Sequence, residues 1–176
     1  VESFQPTHGG KRNPPILAVE ERAREIEIPV EPEPFRTLMK DLLENADKFT
    51  PPSGAILVTA RVLASLEEGD RDPGFPPPYR IPSLRAQRPP LVFPCVEIVV
   101  ADEGMGLDPE QREAIFEPFA VGREHFSKGG GLGIGLAFVR KTLARWNGHI
   151  WAESEGAGKG TRFVCILPCS GAGASA

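Results

Sequence analysis

The sequence lacks the cysteine pattern of a disulfide-stabilised or zinc-binding protein. Cys95, Cys165 and Cys169 are odd in number and form no CxxC pair with a second Cys or His pair at zinc spacing, which argues against both kinds of site. It also lacks an apolar run of the roughly 20 residues that cross a bilayer, and the residue order of a signal peptide. These absences predict a reducing, cytoplasmic setting and no direct membrane insertion.

A surplus of positive charge is also missing. The formal net charge is −4, whereas nucleic-acid-binding domains usually gather a basic surplus on one face. No nucleic-acid partner is therefore predicted, and an anionic ligand would have to be held by local chemistry. The length of 176 residues suits one domain, since chains of this size bury roughly 70% of their unfolded surface.

The chain is predicted to divide into a tail, one domain and a second tail. Residues 1–22 form an N-terminal tail or linker, because Gly, Pro and charge dominate their first part. The domain spans residues 23–168, and residues 169–176 form a C-terminal tail. Residues 67–94, rich in Pro, Arg and Gly without any period, are predicted to be a surface insertion that joins two neighbouring strands.

Within the domain, apolar spacing predicts the helices and strands listed at the end of this paragraph. Alternation of apolar and polar residues indicates strands, and apolar residues three and four apart indicate helices. Helix-end signals are Pro34, the Asp108–Gln111 capping box, and Gly148 as a stop. The predicted strands are Arg24–Val30, Ile56–Val62, Val96–Val100, His149–Ser154 and Thr161–Leu167; the predicted helices are Phe35–Ala46, Asp108–Phe116 and Leu136–Trp146.

This order predicts a two-layer α/β sandwich. A mixed, mostly antiparallel sheet of about five strands would be covered on one face by about three helices.

The first helix carries a polar edge opposite its apolar stripe. Asp41, Asn45 and Lys48 are four and three residues apart, with Glu44 beside them, so they share one side of the helix. Amide and carboxylate oxygens can hold Mg²⁺, a lysine can offset phosphate charge, and a second carboxylate can accept a proton. Taken alone, the pattern is more typical of a solvated polar helix face with i,i+4 charge pairs.

Two glycine-containing segments follow. Asp102–Gly106 leaves a predicted strand, and an acidic residue beside glycines can accept a hydrogen bond from an adenine amino group while the base packs against the turn. Lys128–Ala137 runs glycines directly into a helix, whose first N–H groups favour an anion such as a triphosphate. This segment is neither a P-loop, since no Lys-Ser or Lys-Thr follows, nor a Rossmann fingerprint, since no strand precedes it.

A charged segment precedes the glycine loop. Residues 117–133 are predicted to form a mobile lid, anchored by the aromatic side chains of Phe116 and Phe119. Core packing is the alternative role for both rings.

Five segments together resemble the histidine-kinase and gyrase-like ATPase superfamily. Leu42–Pro51 is similar to its N box, Asp102–Gly106 to its G1 box, Phe116–Phe119 to its F box, Gly131–Ala137 to its G2 box, and Gly160–Thr161 to its last glycine motif. They occur in the family's order, and such joint occurrence is stronger evidence than any one motif. The FEPF segment and the N box favour the catalytic domain of a sensor histidine kinase.

The resemblance implies a Bergerat-type ATP-binding fold, with ATP and Mg²⁺ as cofactors. It implies that Asn45 coordinates Mg²⁺, with Asp41 as a second candidate ligand, and that Glu44, Asn45 and Lys48 are catalytic, Glu44 as the general base. Phe49 would flank the nucleotide and Asp102 would bind the adenine amino group. The full implied nucleotide-binding set is Asp41, Asn45, Lys48, Phe49, Asp102, Gly104, Gly106, Phe116, Phe119, Gly129, Gly131, Leu132, Gly133, Ile134, Gly135, Leu136 and Thr161.

Asp41 departs from the resembled pattern, which usually has Asn at this position. A carboxylate there adds negative charge beside the triphosphate, so metal use or activity would differ. The resemblance further implies two partners, a dimerisation and histidine-phosphotransfer helical domain of the same parent protein and a downstream response regulator. In that case the chain would be cytoplasmic, or the cytoplasmic portion of a membrane sensor.

None of the three histidines suits a phosphoacceptor. His8 lies among Pro and Gly that disfavour a helix, His125 lies in the predicted lid, and His149 opens a predicted strand. Two alternative functions stay open. One is a nucleotide-binding regulatory module without phosphotransfer, suggested by Asp41 and by the long insertion. The other is a protein-interaction domain that docks a partner through the Phe75–Tyr79 core of the insertion.

Overall fold

The fold is a five-stranded sheet with helices packed on one face, as the sequence predicts. The computed structural model describes residues 14–64, 93–120 and 133–169. The strand order is β1-β2-β3-β5-β4, with β1 parallel to β2 and every other neighbouring pair antiparallel. The strands are β1 (Ile16–Val19), β2 (Ile56–Leu63), β3 (Cys95–Asp102), β4 (His149–Glu153) and β5 (Thr161–Pro168).

In the described residues the helices are α1 (Glu21–Arg24), α2 (Pro32–Phe49), α3 (Gln111–Ala114) and α4 (Gly135–Arg145). Pro32 begins α2, where its missing N–H costs no helical hydrogen bond. Leu38, Leu42, Leu43 and Ala46 form the buried stripe of α2 against the sheet. The polar edge of α2 is thereby fixed beside the carboxyl end of β3. None of the helices in these three ranges is long and apolar enough to cross a membrane.

The N-terminal boundary differs from the prediction. The predicted strand Arg24–Val30 is wrong, because this stretch has only an isolated bridge at Glu27. The side chains of Ile26, Ile28 and Val30 still pack against the core, which explains why apolar and polar residues alternate in this stretch. The edge of β2 is occupied by β1 instead.

Strand β1 lies inside the predicted tail 1–22. Its residues pair with β2, and the following Glu20 donates its backbone N–H to the Ala60 carbonyl at 2.9 Å. The Glu20 carboxylate also accepts from the Val62 N–H at 3.1 Å. The folded domain therefore includes residues from Ile16 onward. At the other end, Cys169 is buried and donates its N–H to the Pro94 carbonyl, so the predicted tail begins one residue too early.

Helix α4 ends in a way the sequence only partly indicates. Asn147, not Gly148, takes the left-handed conformation (φ 54°). The N–H of Asn147 bonds to Ala144 and that of Gly148 to Leu143, which is the double bond of a Schellman ending. Gly148 is required for space, because a Cβ there would lie 2.6 Å from the Ile166 carbonyl oxygen.

The predicted capping box is formed only in part, and the prediction that neighbouring strands flank the insertion is confirmed. Gln111 Oε1 accepts the Asp108 N–H at 2.9 Å, which is the contact of a capping-box glutamine. Helix α3 is nevertheless shorter than the predicted Asp108–Phe116, because it begins at Gln111 and its N-cap is Glu110, without a side-chain cap hydrogen bond. Strands β2 and β3, which flank the insertion, pair over their whole length from Ile56↔Asp102 to Leu63↔Cys95.

Candidate nucleotide-binding site

The polar edge of α2 is partly shielded from solvent. Asp41, Glu44, Asn45 and Lys48 are each intermediate in exposure, unlike the residues of a fully solvated helix face. The pKa of Asp41 is raised, first by partial burial and then by the nearby Glu44 carboxylate. Lys40 Nζ lies 3.6 Å from the Glu44 carboxylate.

Asp102 ends the central strand β3 as a buried carboxyl group. It is 3% exposed, and its Oδ1 accepts the Gly104 N–H at 2.9 Å. Thr161, its cross-strand partner in β5, also supplies a backbone hydrogen bond. Burial raises the pKa of Asp102 to about 7, although these two hydrogen bonds act in the opposite direction. An amino group that donates to this carboxylate would favour its ionised form.

Gly104 brings the acidic turn against the end of α2. A Cβ at this position would lie 2.7 Å from the Phe49 carbonyl oxygen and 2.5 Å from Asp102 Oδ1. Any side chain would separate the two elements, so glycine permits the close approach. Beside it, Lys48 Nζ lies 5.1 Å from the centre of the Phe49 ring, a cation–π geometry.

Gly106 joins the acidic turn to the β4–β5 connection. Its φ is +70°, and a Cβ would lie 2.0 Å from the Gly156 carbonyl oxygen. The buried Ser154 hydroxyl accepts the Leu107 N–H at 2.9 Å and donates to the Gly160 carbonyl at 2.6 Å. Sequence reasoning missed Ser154, since its only signal is its place at the end of a strand before a Gly-rich turn.

The start of α4 meets the opposite end of the polar edge. A Cβ on Gly135 would lie 3.6 Å from the Asp41 carboxyl carbon. Gly133 has φ +67°, and its carbonyl accepts the Phe119 N–H at 3.0 Å, which ties together the two sides of the predicted lid. Ile134 is exposed and Leu136 packs against the core. Gly129, Gly131 and Leu132 lie outside the described residues.

The predicted site residues thus flank one side of α2. Gly135 approaches Asp41 and Gly104 approaches Phe49, two positions about 12 Å apart along the helix at 1.5 Å per residue. Asn45 lies halfway between them in the helix. Asp102, the predicted adenine contact, and the start of α4, the predicted phosphate contact, therefore lie at opposite ends of the half-buried polar edge.

The two F-box aromatics have different environments. Phe116 is 2% exposed and packs edge-to-face on Phe163, with ring centroids 6.3 Å apart. Its ring belongs to the core and is not accessible to a nucleotide, which contradicts the direct contact that the resemblance implies. Phe119 is 69% exposed with φ 64°, and it alone of the pair is available to a ligand.

His149 and two open depressions lie away from this edge. His149 is exposed at the start of β4, and His8 and His125 lie outside the described residues. Two open depressions, of about 250 and 530 Å³, surround Gly148 and His149. They adjoin the C-terminal end of α4, roughly 16 Å from its glycine start, and so lie away from the predicted nucleotide site.

The comparison with known families agrees with this geometry. A model described as "Histidine kinase-, DNA gyrase B-, and HSP90-like ATPase" matches residues 30–171. The chain belongs to this ATPase family, as its motifs predict.

Two sequence relatives of the chain are named as histidine kinases. The chain is 31% identical over 131 residues to the signal transduction histidine-protein kinase/phosphatase MprB of Mycolicibacterium paratuberculosis, covering 73% of this chain and 20% of that protein. It is 28% identical to the sensor histidine kinase CusS of Escherichia coli O157:H7, covering 82% and 24%. The chain therefore spans about a fifth to a quarter of the length of these relatives.

Solved structures share the fold. A full-length ShkA in complex with AMPPNP is similar with a TM-score of 0.61 and 26% identity, covering 91% of this chain and 26% of that one. The mycobacterial sensor histidine kinase MprB is similar with a TM-score of 0.58 and 22% identity, covering 88% and 80%. The likeness extends through nearly the whole chain.

Proposed function

We propose that this chain is the ATP-binding catalytic domain of a two-component sensor histidine kinase. In its parent protein it would transfer the γ-phosphate of ATP to a histidine on a separate dimerisation helix domain, from which a response regulator would take it. The observation that carries the proposal is the half-buried edge of α2, flanked by Gly135 at one end and by Gly104 with Asp102 at the other. The parent would place this domain in the cytoplasm, alone or as part of a membrane sensor.

The adenine end would be defined by Asp102. Its carboxylate would accept the adenine amino group, while Thr161 and Gly104 keep the carboxylate oriented through backbone hydrogen bonds. Phe49 would flank the nucleotide. An ionised Asp102 would have no proton to share with a base that carries a carbonyl in place of the amino group, so adenine would be preferred over guanine wherever this carboxyl group is ionised.

The phosphate end would need a cation. Partial burial and then the nearby Glu44 carboxylate disfavour the ionised form of Asp41, and Mg²⁺ would offset both effects while it neutralises phosphate charge. Mg²⁺ is usually held by one or two protein oxygens together with phosphates and water, which Asn45 and Asp41 can supply. Lys48 would contact a phosphate.

Transfer would depend on positioning and charge neutralisation. The acceptor imidazole would form the new bond to the γ-phosphorus as the bond to the leaving ADP oxygen breaks, and Glu44 would accept the imidazole proton. Glu44 is near the surface, with 35% of its side chain exposed, so a docked helix could reach it.

The test uses the acceptor helical domain of the parent protein with radiolabelled ATP. Wild type should bind ADP in a Mg²⁺-assisted manner and label the acceptor. Asn45→Ala should lose at least about 10-fold in transfer and most of the Mg²⁺ dependence, by loss of one metal ligand. Thr37→Ala, an exposed change on α2 that hydrogen-bonds only within its own helix, is the matched control.

Tight nucleotide binding without any transfer would instead support the regulatory alternative. The half-buried Asp41 is the observation that favours that alternative, and Asp41→Asn would then be expected to restore transfer.

A further inference from the structure

Ser154 follows strand β4 and places a buried hydroxyl group between two turns. The residue is 0% exposed. Its Oγ accepts the Leu107 N–H at 2.9 Å and the Gly156 N–H at 3.3 Å. The hydroxyl donates its proton to the Gly160 carbonyl at 2.6 Å. Because a serine hydroxyl has one proton to donate and two lone pairs with which to accept, these three bonds use its whole hydrogen-bonding capacity.

The acidic turn and the β4–β5 connection also bind each other through their backbones. The Gly158 N–H donates to the Met105 carbonyl at 2.6 Å. The Gly160 N–H donates to the Gly104 carbonyl at 3.2 Å. Together with the Ser154 hydroxyl, these bonds hold the two connections against each other.

The peptide group between Gly160 and Thr161 links Ser154 to the predicted adenine contact. Its carbonyl accepts the Ser154 proton, and its N–H, which belongs to Thr161, bonds to the Asp102 carboxyl group. A peptide group is planar, so a bond that holds its carbonyl also fixes the direction of its N–H. Hydrogen bonds at the two ends of such a group also strengthen each other. Ser154 is therefore one peptide group away from Asp102.

The second hydrogen bond of Asp102 leads back to the same peptide group. Asp102 Oδ1 accepts the Gly104 N–H at 2.9 Å, and the Gly104 carbonyl accepts the Gly160 N–H. Both N–H groups that orient the carboxyl group are therefore attached to the β4–β5 connection. A shift of this connection would change the direction of the Asp102 carboxyl group.

We propose that Ser154 is a positioning residue for the adenine contact, because its hydroxyl holds the Gly160–Thr161 peptide group and thereby the direction of the Asp102 carboxylate. The inference rests on the proposed function of this site. Without the hydroxyl, the Leu107 N–H and the Gly160 carbonyl would lose a buried partner, and the backbone would move to recover hydrogen bonds. Ser154 thus sets the affinity for the amino group of the base and leaves phosphate binding unchanged.

Calorimetry on the whole chain with two ligands separates positioning from packing. The ligands are ADP and purine riboside diphosphate, which lacks the amino group, at pH 8, above the Asp102 pKa of about 7. Wild type should bind ADP at least about tenfold more tightly. Ser154→Ala should lower ADP affinity about fivefold and leave the affinity for the second ligand within about twofold.

The possible outcomes distinguish this inference from the proposed function. An equal loss for both ligands in Ser154→Ala would assign Ser154 a purely structural role and overturn the inference. The full wild-type preference for ADP in Ser154→Ala would overturn it as well, while the proposed function would stand. Equal affinity of wild type for both ligands would refute the Asp102 contact itself, and the inference with it.

Ser154→Cys provides a second variant in case Ser154→Ala does not fold. A thiol is close to the hydroxyl in shape but is a weaker donor, so Ser154→Cys should also lose affinity for ADP selectively; an unchanged preference would overturn the inference. Thr142→Ala is the control, because it removes another buried hydroxyl, 3% exposed, from α4. It should lower stability in urea unfolding and leave ADP affinity within about twofold. A selective loss of ADP affinity in Thr142→Ala would contradict the assignment to Ser154.

Discussion

At the residue scale, Asp102 shows how one position combines a functional and a structural effect. It is buried among backbone N–H groups at the end of the central strand, where the ionised form is disfavoured despite two hydrogen bonds. Nucleotide binding would need the carboxylate, whereas below about pH 7 the protein without nucleotide favours the carboxylic acid. Binding and protonation of Asp102 are therefore expected to compete.

The raised pKa of Asp102 also predicts that the stability of the protein depends on pH. The unfolded chain loses the Asp102 proton near pH 4, whereas the folded protein holds it until about pH 7. The folded state binds more protons in this window, so the free energy of unfolding should fall as pH rises, by at most roughly 4 kcal/mol from this group. Urea unfolding at pH 4.5 and 8 should show a smaller fall in Asp102→Asn. The exposed Asp108→Asn is the control, and equal falls in all three proteins would contradict the prediction.

Gly106 provides a second residue-scale test, with Gly158 as a matched control. Both have φ near +70° (70° and 73°), but a Cβ on Gly106 meets the Gly156 carbonyl oxygen at 2.0 Å, whereas one on Gly158 meets nothing within 4 Å. Gly158→Ala should cost about 1 kcal/mol from backbone strain alone. Gly106→Ala should cost at least about 2 kcal/mol and weaken ADP binding, by urea unfolding and calorimetry. Similar losses in both variants would rule out the close contact.

At the element scale, Arg140 links α4 to the F box. Its guanidinium lies 2.6 Å from the Glu113 carboxylate, 3.9 Å from that of Glu117, and 5.8 Å from the centre of the Phe116 ring. Helix α4 follows the predicted lid and the F box precedes it, so these contacts hold the two borders of the lid together.

Arg140→Ala should therefore affect nucleotide binding more than stability. The groups are largely exposed, with 44% of Arg140 and 72% of Glu113 accessible, so the stability loss should be at most about 1 kcal/mol. Affinity for a nonhydrolysable ATP analogue should fall severalfold at low salt and less at high salt. Lys141→Ala, on the exposed neighbour, should change neither quantity. A loss of several kcal/mol in Arg140→Ala would assign it a purely structural role.

At the scale of the whole molecule, a ligand that binds only the folded state should stabilise the entire domain. At 100 times its dissociation constant, Mg²⁺-ADP should add about 2.7 kcal/mol, or roughly 5–10 °C in midpoint for a domain of this size. Differential scanning fluorimetry would measure this shift. GTP at equal concentration should give little shift, and Asp102→Ala should abolish the ADP response. An equal response of wild type and Asp102→Ala would exclude the assigned adenine contact.

The sequence by itself determined the local elements and the motif residues. Helix α2, strands β2 to β5 and the contact between Asp108 and Gln111 follow from spacing and end signals that act within a few residues. The polar edge of α2 and the acidic turn after β3 could likewise be predicted, because each is a short segment with its own chemistry. Their approach to each other was inferred only from the order of the five motifs.

Only the tertiary structure decided which distant segments meet. Ile16 pairs with Leu57, and the rest of strand β1 pairs with the residues of β2 that follow Leu57. Because these partners are far apart in the sequence, the four apolar residues of β1 do not by themselves indicate which strand they pair with. The same holds for Ser154, whose hydroxyl joins two turns, and for Phe116, whose ring the core encloses. A side chain's partners depend on long-range contacts that close loops of the chain, and local periodicity does not encode which contacts these are.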